Sequence, residues 1–105
     1  MIPLEKVKLI VNKYENLEKE LASGDISKKD FVNKSKEYSS IGEVINQAKA
    51  YISFGKEKTE LEKIIEDKKS DQEMAKLAKN ELNELLEKNK NYEKILRIYL
   101  LPKDE

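Results

Sequence analysis

Catalysis and metal binding need particular residue types at particular spacings, and this sequence lacks most of them. It contains no cysteine and no histidine. Thiol nucleophiles, disulfides, imidazole acid–base steps and the usual zinc ligand sets are therefore excluded. Carboxylates, lysines and tyrosines remain. Glu57, Glu60, Glu62, Glu66 and Asp67 form the densest acidic group. Clustered carboxylates can hold a divalent cation or trade protons, but here they alternate with lysines in the manner of a solvated helix face. Lys28-Lys29 and Lys68-Lys69 are short basic pairs beside turns. Such pairs keep turns soluble, and lysines at the ends of rods can also touch a phosphate backbone. Tyr14, Tyr38, Tyr51, Tyr92 and Tyr99 fall on or next to apolar stripes, where a ring can be buried with its hydroxyl at the wet edge. No arginine is interleaved with them as a base-stacking platform would require. There is no glycine-rich phosphate loop and no Gly-x-Ser-x-Gly. No catalytic residue, cofactor or metal is expected, and the chain reads as a non-enzymatic interaction module.

The elements that would position these groups follow from composition and periodicity. The chain has 105 residues, 38% apolar and 40% charged, with three glycines and two prolines. That balance belongs to long amphipathic helices with a narrow core. Lysine and arginine together number 21, as do aspartate and glutamate. The net charge is +1 over residues 1–40, zero over 41–69 and −1 over 70–105, so no segment carries the basic excess common in nucleic-acid binders. "MIPLEKVKLI" has an early acid and no long apolar stretch, unlike a signal peptide. No apolar run approaches the roughly 20 residues that span a bilayer. A cytoplasmic location without membrane contact is expected.

The spacing predicts helices over about 3–22, 28–39, 42–67 and 71–100. Pro3 suits a first helical turn. Leu4, Val7, Ile10, Val11, Tyr14, Leu17 and Leu21 then recur at steps of three and four, and Gly24 can take the left-handed cap conformation. Ser27 with Asp30 has capping-box spacing, and Phe31, Val32, Ser35 and Tyr38 mark the inner side of a short second helix. Ser39, Ser40 and Gly42 predict a kink or break. The third stripe is Ile41, Val44, Ile45, Ala48, Tyr51, Ile52, Leu61, Ile64 and Ile65. It thins at Gly55, where a close helix crossing or local fraying would account for a residue costing about 1 kcal/mol against alanine. Ser70 with Glu73 forms a second capping box, supported by the charge of Asp71. Met74, Leu77, Ala78, Leu82, Leu85, Leu86, Tyr92, Leu96 and Tyr99 then keep near-heptad spacing, with Asn89 as the polar member of the seam. Glu84–Lys88 and Glu93–Arg97 have the favourable order for pairs four apart. Pro102 ends the helix.

Two helices about 40 Å long at 1.5 Å per residue cannot wrap a globular core. They must lie side by side. The expected fold is all-α: an antiparallel helical bundle with two long coiled-coil-like helices, an N-terminal helix packed along them and a short bridging helix.

Three stretches carry a resemblance. "KEYSSIGEVI" (residues 36–45), "DQEMAKLAKNEL" (71–82) and "YLLPKDE" (99–105) are similar, in order and spacing, to the N-terminal domain of the bacterial-type peptide chain release factor 1 family. In that family a segment like "EMAKLAKEEL" opens the long last helix of the first domain, and "LLPKD" closes it and leads into the next. The second release-factor type lacks the "LLPKD" ending. The resemblance runs from about Asp30 onward; residues 1–29 agree in pattern only. Glu105 stands where the family often has proline.

The resemblance implies an accessory first domain, with the chain continuing past Glu105. Full-length members read stop codons and trigger peptidyl-tRNA hydrolysis through a Gly-Gly-Gln loop. Gly24, Gly42 and Gly55 are isolated here, and Pro3 and Pro102 sit at helix ends, so no codon-reading or hydrolytic residue carries over. The implied partners are the ribosome, on its factor-binding side near the stalk base, the GTPase release factor, and the remaining domains of the same chain. No individual binding residue is implied. Two other readings suit long helices: an RNA-binding arm like that of seryl-tRNA synthetases, and a stand-alone coiled-coil adaptor.

Overall fold

The computed structural model describes residues 1–102. Four helices form: α1 (Leu4–Ser23), α2 (Lys28–Gly42), α3 (Ile45–Glu66) and α4 (Gln72–Leu100). Pro3 lies just before α1 rather than inside it, and its carbonyl accepts the Lys6 N–H at 3.1 Å. Gly24 closes α1 with φ 73°, a left-handed conformation that costs a glycine little. The Ser27 hydroxyl accepts the Asp30 N–H at 3.2 Å and so starts α2 as the spacing predicts.

Two boundaries differ from expectation. α2 runs through Ser39 and Ser40, and the break falls at Glu43 and Val44, so α3 begins at Ile45 and not at 42. The cause is burial. Ile41, Val44 and Ile45 are all buried, and a tight turn between them lets both helices present their apolar ends to one core. The turn is held by Glu43 N–H to Ser40 O (3.3 Å) and Val44 N–H to Ile41 O (3.0 Å). Asp71, not Ser70, caps α4: its carboxylate accepts the Met74 N–H at 2.7 Å. A carboxylate satisfies an orphan N–H and also faces the positive end of the helix dipole, which a hydroxyl does less well.

α3 and α4 pair antiparallel, as Glu57 and Leu61 of α3 facing Glu81, Leu85 and Lys88 of α4 show. α1 packs on the first half of α3 and beside the last turns of α4. The short helix expected to bridge one end does link α1 to α3, and it does so by lying antiparallel along α1. Tyr14 stacks on Tyr38, and Lys13 and Glu20 of α1 pair with Glu37 and Lys34 of α2. The shape is elongated, 60 × 33 × 18 Å.

One cluster forms the core: Ile2, Val7, Ile10, Leu17, Ile41, Val44, Ile45, Ala48, Tyr51 and Leu96. Leu61, Ile64, Ile65, Leu82, Leu85 and Leu86 at the far end of the hairpin are only half-buried. Five residues of the predicted inner faces are exposed: Leu4 at the start of α1, Phe31 and Val32 at the start of α2, and Met74 and Leu77 at the start of α4. Each sits on the first turns of its helix. A close crossing does not explain Gly55, because a Cβ there would meet nothing within 4 Å. α3 runs through it unbroken.

Candidate functional site

The base of the molecule, where α1, α3 and α4 meet, carries the most organised polar chemistry. A groove of about 410 Å³ opens there, lined by Met1, Leu4, Phe54, Lys58, Asn89 and Glu93 among others. On its wall the Tyr51 hydroxyl accepts the Ile2 N–H at 3.1 Å and donates to the Ile2 carbonyl at 3.2 Å. Tyr51 is buried, so its hydroxyl is satisfied by backbone and not left at the wet edge. Glu93 accepts the Met1 ammonium at 3.0 Å and the Arg97 guanidinium at 2.5 Å on the same oxygen. The Met1 ammonium, followed by Arg97, holds the Glu93 carboxyl below the usual glutamate range. Glu93–Arg97 is one of the two pairs predicted from spacing; Glu84–Lys88 does not close as an ion pair.

Asn89 occupies the seam position assigned to it, and its Oδ1 is buried without a hydrogen-bond partner. A buried acceptor left unmatched costs about 1–3 kcal/mol. The periodicity marks Asn89 as unusual. Nothing in the sequence marks the contact between Tyr51 and Ile2, which joins residues 49 apart.

The flank formed by α1 and α2 is laced by charge. Lys13 bonds Glu37 and Lys34 bonds Glu20, and each lysine is held above its ordinary value first by that hydrogen bond. Tyr14 and Tyr38 stack with ring centroids 4.4 Å apart and planes 15° from parallel. The adjacent Tyr14 hydroxyl, then desolvation and the nearby Glu18, push the Tyr38 phenol up to about 12.

The acidic group lies on the outer half of α3 and its C-cap Asp67, and is mostly exposed. Among the described residues no three carboxylates converge as a metal site. Lys28 and Lys29 sit on the exposed first turn of α2, and Lys68 and Lys69 in the α3–α4 turn, so the two pairs mark different ends of helices and do not form one patch. Among the described residues no helix is long and apolar enough to cross a membrane. Lys103, Asp104 and Glu105 of the "YLLPKDE" stretch lie outside the described residues.

Such surfaces can dock a partner. Comparison with known proteins gives the chain a context. Residues 10–105 match the PCRF domain family. The chain is 49% identical over its whole length to peptide chain release factor 1 of Pelagibacter ubique (strain HTCC1062). It spans 29% of that relative's length. No solved structure gives a significant match.

Proposed function

The chain belongs to the PCRF domain family, and from that membership we propose that it serves as the N-terminal accessory domain of a translation termination factor. The observation that carries this reading is the 49% identity over all 105 residues to a release factor of which the chain spans 29%. On this reading the longer factor directs release of the finished polypeptide at stop codons. Codon reading and Gly-Gly-Gln hydrolysis belong to the rest of it, and this part is not an enzyme. Its exposed helix faces serve contacts with the ribosome, on the factor-binding side near the stalk base, and with the GTPase release factor. It works in the cytoplasm, where termination takes place. The family match lends nothing to the RNA-arm or stand-alone adaptor readings.

The test uses ribosomes carrying peptidyl-tRNA at a stop codon. The isolated chain is expected to release no peptide. The full-length factor is expected to release it, and deletion of residues 1–105 is expected to weaken that factor's ribosome binding more than its release at saturation. Peptide release by the 105-residue chain alone, or unchanged binding after the deletion, overturns the proposal.

A further inference from the structure

The apolar face where α4 ends beside α1 has no cover in this structure. Leu9, on the face of α1 beside its buried stripe, is 66% exposed. Two shallow depressions, of about 290 and 420 Å³, both include Leu9 and Lys13 and so form one groove along α1. Its floor is Ile10, Leu17 and Ile41, and Leu100 closes one end. Leu101, 59% exposed, leaves the helix there in extended conformation (φ −64°, ψ 140°). Pro102 follows and cannot continue the helix.

We propose that this groove is an intramolecular docking site for the part of the chain that follows Glu105. The inference rests on the reading above, that the chain is the first part of a longer factor. Two observations favour this occupant. α4 delivers the chain to the mouth of the groove, and a segment tethered there is present at an effective concentration on the order of millimolar, which favours even weak apolar cover over a free partner. The similar release factor is long enough to supply the cover, since this chain accounts for 29% of it. The exposed pairs Phe31–Val32 and Met74–Leu77 lie on the opening turns of other elements and gain nothing from that tether.

Leu9→Cys and Leu77→Cys placed singly in the full-length chain test the assignment. The two positions are comparably exposed here, at 66% and 62%. Each variant is alkylated with iodoacetamide without ribosomes, and the labelled site is read by peptide mass spectrometry. Cysteine at position 9 is expected to react about tenfold more slowly than at 77, at every protein concentration. Equal rates overturn the proposal. Protection that grows with concentration assigns the face to a second copy, and protection that needs added ribosomes assigns it to the ribosome; either also overturns it. Hydrogen exchange over residues 6–17 is expected to be slower in the unsubstituted full-length chain than in the isolated 105-residue chain, with residues 72–80 unchanged between the two; equal exchange over 6–17 overturns the proposal, and this comparison needs no cysteine variant. Peptide release measured on the same unsubstituted sample reports on the termination reading separately.

Discussion

The base of the molecule and its tip are built from the same kind of sequence and packed in different ways. At the base, α1, the first half of α3 and the last half of α4 enclose Val7, Ala48 and Leu96 with no exposure to solvent. At the tip, α3 after Gly55 and α4 before Asn89 have only each other. There Leu61, Ile64, Leu82 and Leu85 keep the spacing of core residues and stay half-buried, and Ala78 is the buried residue. Two cylinders touch along a line, and a third is needed to close the remaining sides. The stripe therefore reports which face of a helix turns inward, and the number of neighbours decides how far it is buried.

The largest test of this contrast truncates one leucine in each region. Leu96→Ala is expected to cost about 2–5 kcal/mol, because it empties a fully enclosed site. Leu85→Ala is expected to cost only about 1–2 kcal/mol, since its side chain already touches water. Urea denaturation followed by circular dichroism reads both, and equal losses would remove the distinction between base and tip.

Asn89 stands at the border of the two regions. Asn89→Leu is expected to stabilise the fold by about 1–2 kcal/mol by removing an unmatched buried acceptor. A loss of stability in the same assay would show that the amide has a partner in solution, such as an ordered water.

The cap of the tip gives a smaller effect. Asp71→Ala is expected to cost about 1 kcal/mol, and Ser70→Ala to be near neutral. The reverse order in thermal melts would restore Ser70 as the cap.

The smallest effect is the acid sensitivity of the base. Glu93 has its carboxyl held low in the folded state, chiefly by the Met1 ammonium. Its contribution is present above the unfolded glutamate value and is lost as pH falls through the folded one. Stability between about pH 5 and 3 should therefore fall less steeply in Glu93→Gln than in the parent chain. Hydrogen exchange at the start of α1 should show the same difference. Identical pH profiles would mean that Glu93 does not latch the N-terminus to α4.

Much of the fold is legible in the sequence. Helix periodicity, the Gly24 stop and the Ser27 cap are local features, set by residues within one or two turns. The differences are of another kind. Leu4, Phe31, Val32, Met74 and Leu77 have inward spacing yet are exposed, because each lies on the opening turns of its helix. Ser70 and Asp71 are adjacent and both able to cap; the path of the chain through the turn decided between them. The surface proposed for docking is the least legible, because Leu9 falls outside the α1 stripe and nothing in its spacing marks it as more than an exposed leucine.

By itself the sequence determined that the chain is helical and has four helices, which residue types it could not use for chemistry and, through three short stretches, which family it resembles. These properties depend on backbone preferences, side-chain type and order along the chain. Only the tertiary structure decided that the core gathers at one end, that Tyr51 fastens Ile2, that Met1 and Arg97 converge on Glu93 and that Leu9 lies open beside the exit of α4. Those facts depend on which elements come within a few ångströms of each other, and periodicity along one helix holds no information about its neighbours.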